Sequence, residues 1–565
     1  MSLFGSIQLA NNALRANQIG LQVAGQNIAN ANTPGYIREE AIFSPAPTQR
    51  LGRLLLGLGV EVTAIVQKVD RFLEERLRGA TSERSGVEVE EQTYLELETR
   101  YAELGVTDLS TALTQFFNAL HDLADEPESS VARNFVILHG GNLARNVNRL
   151  AGHVGQVRSD LNQRVENSVG DINRLIEEVR VLNIRIAEAE GSDTSASEAV
   201  GLRDQRQTAL TNLAKLVDIS VQEQENGTAS VFLGGDYLVL DGISRSVKAT
   251  EYSDRGLQVF ELRLEESDSL LQITGGEVAG LIKSRDEVLG GFLDELDNFA
   301  SALVYEFNRV YSSGQGRTGF QSITSESSVD STTAALDAAG LSFTPTNGSF
   351  QILVHNTTTG LTETNDIPVD LNGLDGDVTL ADLAAAIDAV DGISASINSS
   401  NQLTITSDST DLDFAFANDT SGVLTALGIN TFFTGDDARS IGINSAVADD
   451  SQKFAASRNG VDLDNEIAVE LAGFAQQALD SENGLTLYGL YERMTANVAQ
   501  GSSVAHAVAE GARVFEDQLR GQSAAISGVS IDEEILRMLR YQRSFQASAK
   551  YIATLDELLQ VLVAL

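Results

Sequence analysis

Gly314-Gln315-Gly316-Arg317-Thr318-Gly319 has the glycine spacing of a dinucleotide-binding turn, in which bare backbone approaches a pyrophosphate at a helix N-terminus. That chemistry needs a strand before the turn and a helix after it. Here a helical pattern precedes the glycines and none clearly follows, so the segment reads as a flexible loop. Residues 370–383 have the acids of a calcium loop, but Leu374 stands where the third ligand belongs and no Glu closes the loop, which leaves an ordinary acidic turn. The histidines His121, His139, His153, His355 and His506 have neither HExxH spacing nor the carboxylate pattern that zinc would need, and read as surface or helix-face residues. There is no GxSxG elbow, no P-loop and no cysteine nucleophile. Acids such as Glu533 and Glu534 fall in the first turn of a helix, where they complement its dipole. No catalytic residue, cofactor or metal site is expected, and the chain reads as a non-enzyme.

Composition narrows the classes further. A chain of 565 residues, 42% of them hydrophobic, exceeds one hydrophobic core and should form several domains. Its formal net charge of -41 opposes nucleic-acid binding and disfavours anionic membrane surfaces, since both need clustered Lys and Arg. The acids are uneven: residues 326–450 hold nineteen against one basic residue, Arg439, whereas residues 1–60 hold four Arg and two Glu. With no Cys, disulfides and thiolate metal sites are excluded, which suits a protein exported unfolded and assembled outside the cell. The N-terminus lacks the basic and apolar regions of a secretory signal peptide, and no apolar run is long enough to span a membrane, so no membrane insertion is expected.

The elements expected are mainly helical. Residues 4–30 carry Ile7, Leu14, Leu21 and Ile28 at intervals of seven, with Ala10, Asn17 and Ala24 three residues after the first three, a heptad seam. Its other positions are Asn, Gln and Ala, so the helix should bury more than one face. It ends in Asn30-Ala31-Asn32-Thr33-Pro34-Gly35-Tyr36, where Pro34 drives Thr33 out of helical geometry and Gly35 permits a tight turn. At the other end Ile535, Met538, Phe545, Ala549, Ile552, Leu555, Leu559 and Leu562 repeat by threes, fours and sevens, so two terminal helices can pair antiparallel. Residues 67–190 read as helical bundle or rod. Between 219 and 275 the period changes to short strands at 220–224, 229–233 and 237–240, turned at Asn226-Gly227 and Gly234-Gly235. A helix follows from about 276 to 311. The acidic segment has alternating strands near 350–354, 393–397, 403–405 and 412–416, with a helix at 379–390 capped by Thr379.

The fold class expected is therefore mainly α with β inserts: a long helical rod or bundle formed by both chain ends, a β-hairpin region, and a small α/β side domain. The division is 1–60 with 527–565 as a terminal coiled-coil domain, 61–325 with 451–526 as a helical rod including the β-rich 219–275, and 326–450 as an outer acidic insert.

The run Ile28-Ala29-Asn30-Ala31-Asn32-Thr33-Pro34-Gly35-Tyr36 resembles the signature of the rod, hook and hook-associated axial proteins of the bacterial flagellum. Ser527-Gly528-Val529-Ser530-Ile531-Asp532-Glu533-Glu534, Tyr541-Gln542-Arg543-Ser544-Phe545-Gln546-Ala547-Ser548-Ala549-Lys550 and Leu555-Asp556-Glu557-Leu558-Leu559 resemble the C-terminal helix of the same family. Four interior segments, 58–62 with 70–73, 202–206, 275–282 and 427–435, narrow the resemblance to its hook-associated branch. The resemblance implies a structural subunit at the hook-filament junction, exported by the flagellar type III apparatus after capture by an export chaperone. Its partners would be copies of itself in a ring, the hook protein and the second junction protein. The assembly contacts would include Ile7, Leu14, Leu21, Ile28, Asn30, Asn32, Pro34, Gly35 and Tyr36, with Ile535, Met538, Tyr541, Gln542, Phe545, Ala549, Ile552, Leu555 and Leu559. The alternatives are another axial protein, such as a hook protein or the second junction protein, and an axial scaffold carrying an adhesin or enzyme in the insert.

Overall fold

The computed structural model describes residues 3–51, 54–102, 109–191, 199–224, 226–374, 376–460 and 464–564. They form two compact units, each assembled from separate stretches of chain: Met1–Thr93, Ser159–Arg285 and Ser503–Leu565 in the first, Tyr94–Arg158 and Asp286–Ser502 in the second. Three long helices, Arg71–Ala102, Ser130–Glu190 and Leu487–Ser527, contribute residues to both.

In the first unit, the strands Glu39–Pro45 and Val60–Gln67 pair antiparallel after the N-terminal helix Leu3–Ala29. The helix Arg71–Ala102 then begins at Asp70, whose Oδ1 accepts from the amides of Phe72 and Leu73 at 3.0 and 3.1 Å, an N-cap that satisfies two of the donors a helix start leaves open. The expected strands appear as Ile219–Glu223, Ala229–Leu233 and Asp236–Leu240, joined by Ile243–Ser244 in a sequential four-stranded antiparallel sheet. A second hairpin pairs Val247–Asp254 with Leu257–Leu264. These strands are fastened to the helix Ser130–Glu190 by three asparagines spaced about three turns apart. Asn183 holds both the carbonyl and the amide of Ala229, at 2.8 and 3.0 Å, and Asn173 does the same to Val247 at 2.8 Å for each bond. Asn162 bonds the carbonyl of Gln258 and the amide of Phe260, at 3.0 and 2.8 Å. A carboxamide offers one donor and one acceptor side by side, which is what an unpaired stretch of strand backbone requires.

The helix expected from about 276 to 311 is interrupted. Gly276–Lys283 gives way to a π turn, Ser284–Leu289, before Gly290–Tyr311, a one-residue insertion that hydropathy does not register. At the start of this stretch Gly280 faces Gly86: a Cβ on Gly280 would lie 2.3 Å from the Gly86 carbonyl oxygen.

The second unit has an aromatic core. Phe116, Phe307, Phe432 and Phe433 meet with ring centroids 4.8–5.8 Å apart, and Tyr311, Phe454 and Phe474 extend the cluster. Asn308 Oδ1 accepts from the amides of Phe432 and Phe433, each at 3.0 Å, and Asn430 Nδ2 donates to the carbonyls of Ser312 and Gly314, each at 3.0 Å. The segment 427–435 thus packs through its Asn and Phe side chains into the helical core.

Residues 320–429 close over a hydrophobic core of their own. One sheet has the order 361–369, 348–356, 412–417 and the other 322–324, 403–407, 393–397, all antiparallel. The helix Leu380–Asp388 begins with a full capping box, Thr379 accepting from the Asp382 amide while Asp382 accepts from the Thr379 amide. Phe350, Ile352, Val354, Leu383, Ile387, Leu403, Ile405, Phe414 and Phe416 are buried in this core, with Ile397 partly buried.

The glycine-rich turn is a packing joint. A Cβ on Gly314 would sit 2.8 Å from Ile467, on Gly316 2.6 Å from the Gln452 carbonyl, and on Gly319 2.8 Å from Asp413, while Gln315 is buried and pairs with Ser457. The glycines are needed for close approach of protein to protein. In the acidic turn, Asp377 accepts from the Gly373 amide at 3.1 Å and Asn372 from the Leu374 amide at 2.8 Å; Asp375 lies outside the described residues. Among the described residues no group of three His, Asp or Glu is placed to hold a metal ion, and no helix is long and apolar enough to cross a membrane.

Candidate assembly interface

The N-terminal helix Leu3–Ala29 and the C-terminal helix Ile531–Ala564 pair in the first unit. They run antiparallel: Asn27 meets Glu534 while Gly20 meets Tyr541. The fully buried line of the N-terminal helix is Ser6, Ala10, Ala16, Gly20, Val23, Ala24 and Asn27, mostly small side chains that let the backbones approach. The expected seam residues Ile7, Leu14, Leu21 and Ile28 flank this line and are half-buried. On the C-terminal helix Glu534 and Leu555 are buried, with Met538, Tyr541, Phe545, Ile552 and Leu559 half-buried on the same face. Ile535, Gln542 and Ala549 point to a different, exposed face, which also carries Ile531 and Leu539 at 44% and 41% exposure. The Leu562 side chain lies outside the described residues.

Beyond the N-terminal helix the chain turns at Gly35, with φ +80°, where a Cβ would come within 2.6 Å of Thr208 Oγ1. Asn30 donates to the Gln26 carbonyl at 3.1 Å and accepts from Thr33 Oγ1 at 3.3 Å, so it finishes the helix. Asn32 and Pro34 are exposed. The turn delivers Tyr36, Ile37, Arg38 and Glu39 to the helix pair. Tyr36 donates its hydroxyl to Asn27 Oδ1 at 2.8 Å, the Glu39 amide donates to the same oxygen at 2.9 Å, and Asn27 Nδ2 donates to the Glu39 carbonyl at 2.9 Å and to Glu534 Oε2 at 3.2 Å. Arg38 Nε reaches Glu534 Oε1 at 2.9 Å, its Nη2 reaches Glu533 at 3.0 Å, and its amide donates to the Ser527 carbonyl at 2.9 Å. Asn27, Arg38, Glu39 and Glu534 are all buried. Burial, reinforced by Glu39, Asp204 and Glu534, pushes the Tyr36 hydroxyl well above the usual tyrosine range, so it stays a donor.

The two signature runs at the chain ends therefore meet in one polar cluster. Asn27, Arg38 and Glu534 were not among the expected contact residues. Glu534 in particular is an ion-pair partner sealed from solvent, whereas its place in the first turn of a helix suggested only a dipole effect. The available signal was Asn27, a polar residue seven positions after Gly20 on a line that otherwise carries small residues.

A third run, Leu202-Arg203-Asp204-Gln205-Arg206, links this cluster to the body of the unit. Arg203 grips Glu190 with two bonds of 2.6 and 2.7 Å and also pairs with Glu223. Arg206 donates to Asn183 Oδ1 at 3.0 Å and to the Gly227 carbonyl at 2.7 Å, and burial lowers its pKa to about 10. Asp204 accepts from Gln67 Nε2 at 2.5 Å and from the Ile37 amide. Burial is the largest influence on its carboxyl and Glu39 adds to it, raising the pKa to about 7. A cleft of about 510 Å³ opens beside these residues, lined by Arg71, Arg78, Arg203 and Arg206 together with Glu74, Glu75 and Glu223, so its charges are largely matched internally.

The carboxylates that line the cleft, Glu74, Glu75 and Glu223, stand among Arg71, Arg78, Arg203 and Arg206. The cluster holds two chain ends together while the C-terminal helix leaves Leu536, Leu558 and Val561 exposed. The family described as the flagellar hook-associated protein FlgK helical domain matches residues 94–323, the flagella basal body rod protein family matches 7–36, and the C-terminal family of basal body rod FlgEFG proteins matches 521–565. This is an axial protein of the bacterial flagellum. Flagellar hook-associated protein 1 of Salmonella typhimurium is 23% identical over 99% of both chains, and that of Escherichia coli K12 21% identical over 98% of this chain and 99% of its own. The Bacillus subtilis protein of the same name is 24% identical over 57% of this chain and 69% of its own. In fold, the flagellar hook junction protein FlgK from Burkholderia pseudomallei superposes with a TM-score of 0.50 at 16% identity, covering 80% of this chain and 100% of that one. The chain belongs to the FlgK family of hook-associated proteins, which forms the junction between hook and filament.

Proposed function

We propose that the chain is exported by the flagellar type III apparatus and polymerises through its two terminal helices as a ring of like subunits, bridging the hook protein and the second junction protein, with no catalytic role. The observation that carries this reading is the C-terminal helix. One face packs on the N-terminal helix, while Leu536, Leu558 and Val561 are 67%, 58% and 59% exposed, more apolar surface than a lone helix pair leaves to water without a partner. Capture of that helix by an export chaperone before assembly would cover the same residues. The part of the acidic segment that has its own core, residues 320–429, is read as an outer side domain, because copies carrying fifteen acids and no Lys or Arg there repel when placed side by side.

Leu21→Asp and Phe545→Asp test the reading in cells whose own gene has been removed. Each puts a charge into the helix-packing region and should give hooks without filaments and flagellin in the medium, with normal levels of the variant protein. Normal filaments on cells producing either variant would overturn it.

A further inference from the structure

The contact between the terminal helices is nearly degenerate in register. Asn27 opposes Glu534 and Gly20 opposes Tyr541, so one further heptad sets Ala13 against Ser548 and the next sets Ser6 against Leu555, both of which are buried. Along that line Ser6, the half-buried Ala13 and Gly20 are all small residues. A slip of one heptad would place Ala13 under the Tyr541 ring in place of Gly20, where a Cβ would lie 2.9 Å from the ring, and it would again line the rest of the contact with small side chains. Heptad packing alone cannot forbid it, since its period is the slip.

Two features break the repeat: the bare Gly20 under Tyr541, whose ring also stacks on Phe43 with centroids 5.7 Å apart, and the polar cluster, which a slip would leave buried and unpaired. All the hydrogen-bonding capacity of the fully buried Asn27 is used, on Tyr36, Glu39 and Glu534, and Glu534 is held by Arg38 from a segment that the Ser527 carbonyl also fixes. After a slip of seven, Glu534 would face Gly20 and stay buried without a cation or an amide, a state that proteins avoid strongly. A single buried polar group that specifies register within an otherwise repetitive helix contact is a recognised use of such residues. We infer that Asn27, Arg38 and Glu534 are register-determining residues: they select one alignment of the two chain ends out of several that the apolar pattern allows.

The native chain has no cysteine, so engineered disulfides can read the alignment directly. A full-length chain carrying Ser6→Cys, Ala13→Cys and Ser548→Cys has one cysteine that can bond either of two others: 13 with 548 in the observed register, 6 with 548 after a slip. Oxidation at low protein concentration followed by peptide mapping gives the ratio of the two bridges. With the cluster intact the 13–548 bridge should exceed the other by at least about tenfold. Adding Arg38→Met with Glu534→Leu, which fills the space with apolar atoms, should lower that ratio severalfold while helix content is retained, the Gly20–Tyr541 fit keeping the remainder. Glu534→Gln, which can still bond Asn27 and Arg38, should keep most of the preference. Should the Met/Leu variant lose helix, Asn27→Leu is read alone, and its ratio must also fall. The inference is overturned if the parent chain forms both bridges equally, or if the clamp variants keep the tenfold preference. Because the ratio is read on the isolated chain, it stands or falls separately from the junction assembly proposed above.

Discussion

Asn27 and Glu534 lie 507 positions apart in the chain and share a hydrogen bond of 3.2 Å where neither side chain is more than 1% exposed. The two ends of the polypeptide are thus joined by a contact that water cannot replace. Arg38 adds the opposite charge from the turn between the N-terminal helix and the first strand, so each charge of the pair is buried only because the other is present.

Removing one member should be far worse than removing both. Arg38→Ala leaves Glu534 buried and uncompensated, and should destabilise the paired ends by about 3–5 kcal/mol, whereas Arg38→Met with Glu534→Leu should lie within ~1 kcal/mol of the parent or above it. Denaturant titration followed by helical circular dichroism measures both. Equal losses in the two variants would show that the pair is not sealed from solvent.

At the helix crossing, Gly20 has no room for a side chain: a Cβ there would lie 2.9 Å from the Tyr541 ring. Gly20→Val should therefore cost about 1–3 kcal/mol despite the better helix propensity of valine, and Tyr541→Leu in the same chain should recover part of it. A thermal melt of the single and double variants decides this; a stabilised Gly20→Val would mean that the helices are not in contact at that point.

The second tight crossing is Gly280 on Gly86, backbone against backbone. Neither side can rotate away, so Gly280→Ala should destabilise the first unit by about 3 kcal/mol. Gly79, with open space at its Cβ on the same helix as Gly86, is the control: Gly79→Ala should be neutral or stabilising by up to ~1 kcal/mol. The two variants compared by urea denaturation should separate clearly, and similar midpoints would refute the packing argument.

Asp204 makes stability depend on pH in a stated direction. Its carboxyl, normally near 3.8, titrates at about 7 in the folded chain, so the folded state holds a proton that the unfolded state has lost. Stability should decline as pH rises from about 4 to 7 and level off above that, by about 1–2 kcal/mol once solvent screening of the half-exposed group is allowed for. Asp204→Asn should remove this decline and be more stable than the parent at pH 8 but not at pH 4. The difference between parent and variant melting temperatures across that range is the measurement, and a constant difference would place the titration elsewhere.

What was legible in the sequence was whatever depends on neighbours along the chain. Helix period, the turn at Pro34-Gly35, the strands of 219–240 and the Thr379 cap are local, and each appears close to its expected place. The pairing of the two ends followed from their lengths and matching heptads. The phase of the N-terminal seam did not: large residues at 7, 14, 21 and 28 mark an apolar side, but the partner sits closest where side chains are smallest, on the line through Ala10, Ala16 and Gly20.

By itself, the sequence determined the mainly helical class, the pairing of a helix from each terminus and, through its signature runs, the axial family. Tertiary structure alone decided why those runs have their residues. Asn27 and Glu534 become partners only when 507 positions of intervening chain have folded back, and no periodicity relates residues so far apart. Likewise, Gly280 is required by a backbone that arrives from Gly86, and Asn430 by carbonyls of Ser312 and Gly314. Propensity and hydropathy describe a residue against water and its near neighbours; a buried ion pair, a glycine crossing and an asparagine bracket are defined by what the fold brings to the other side.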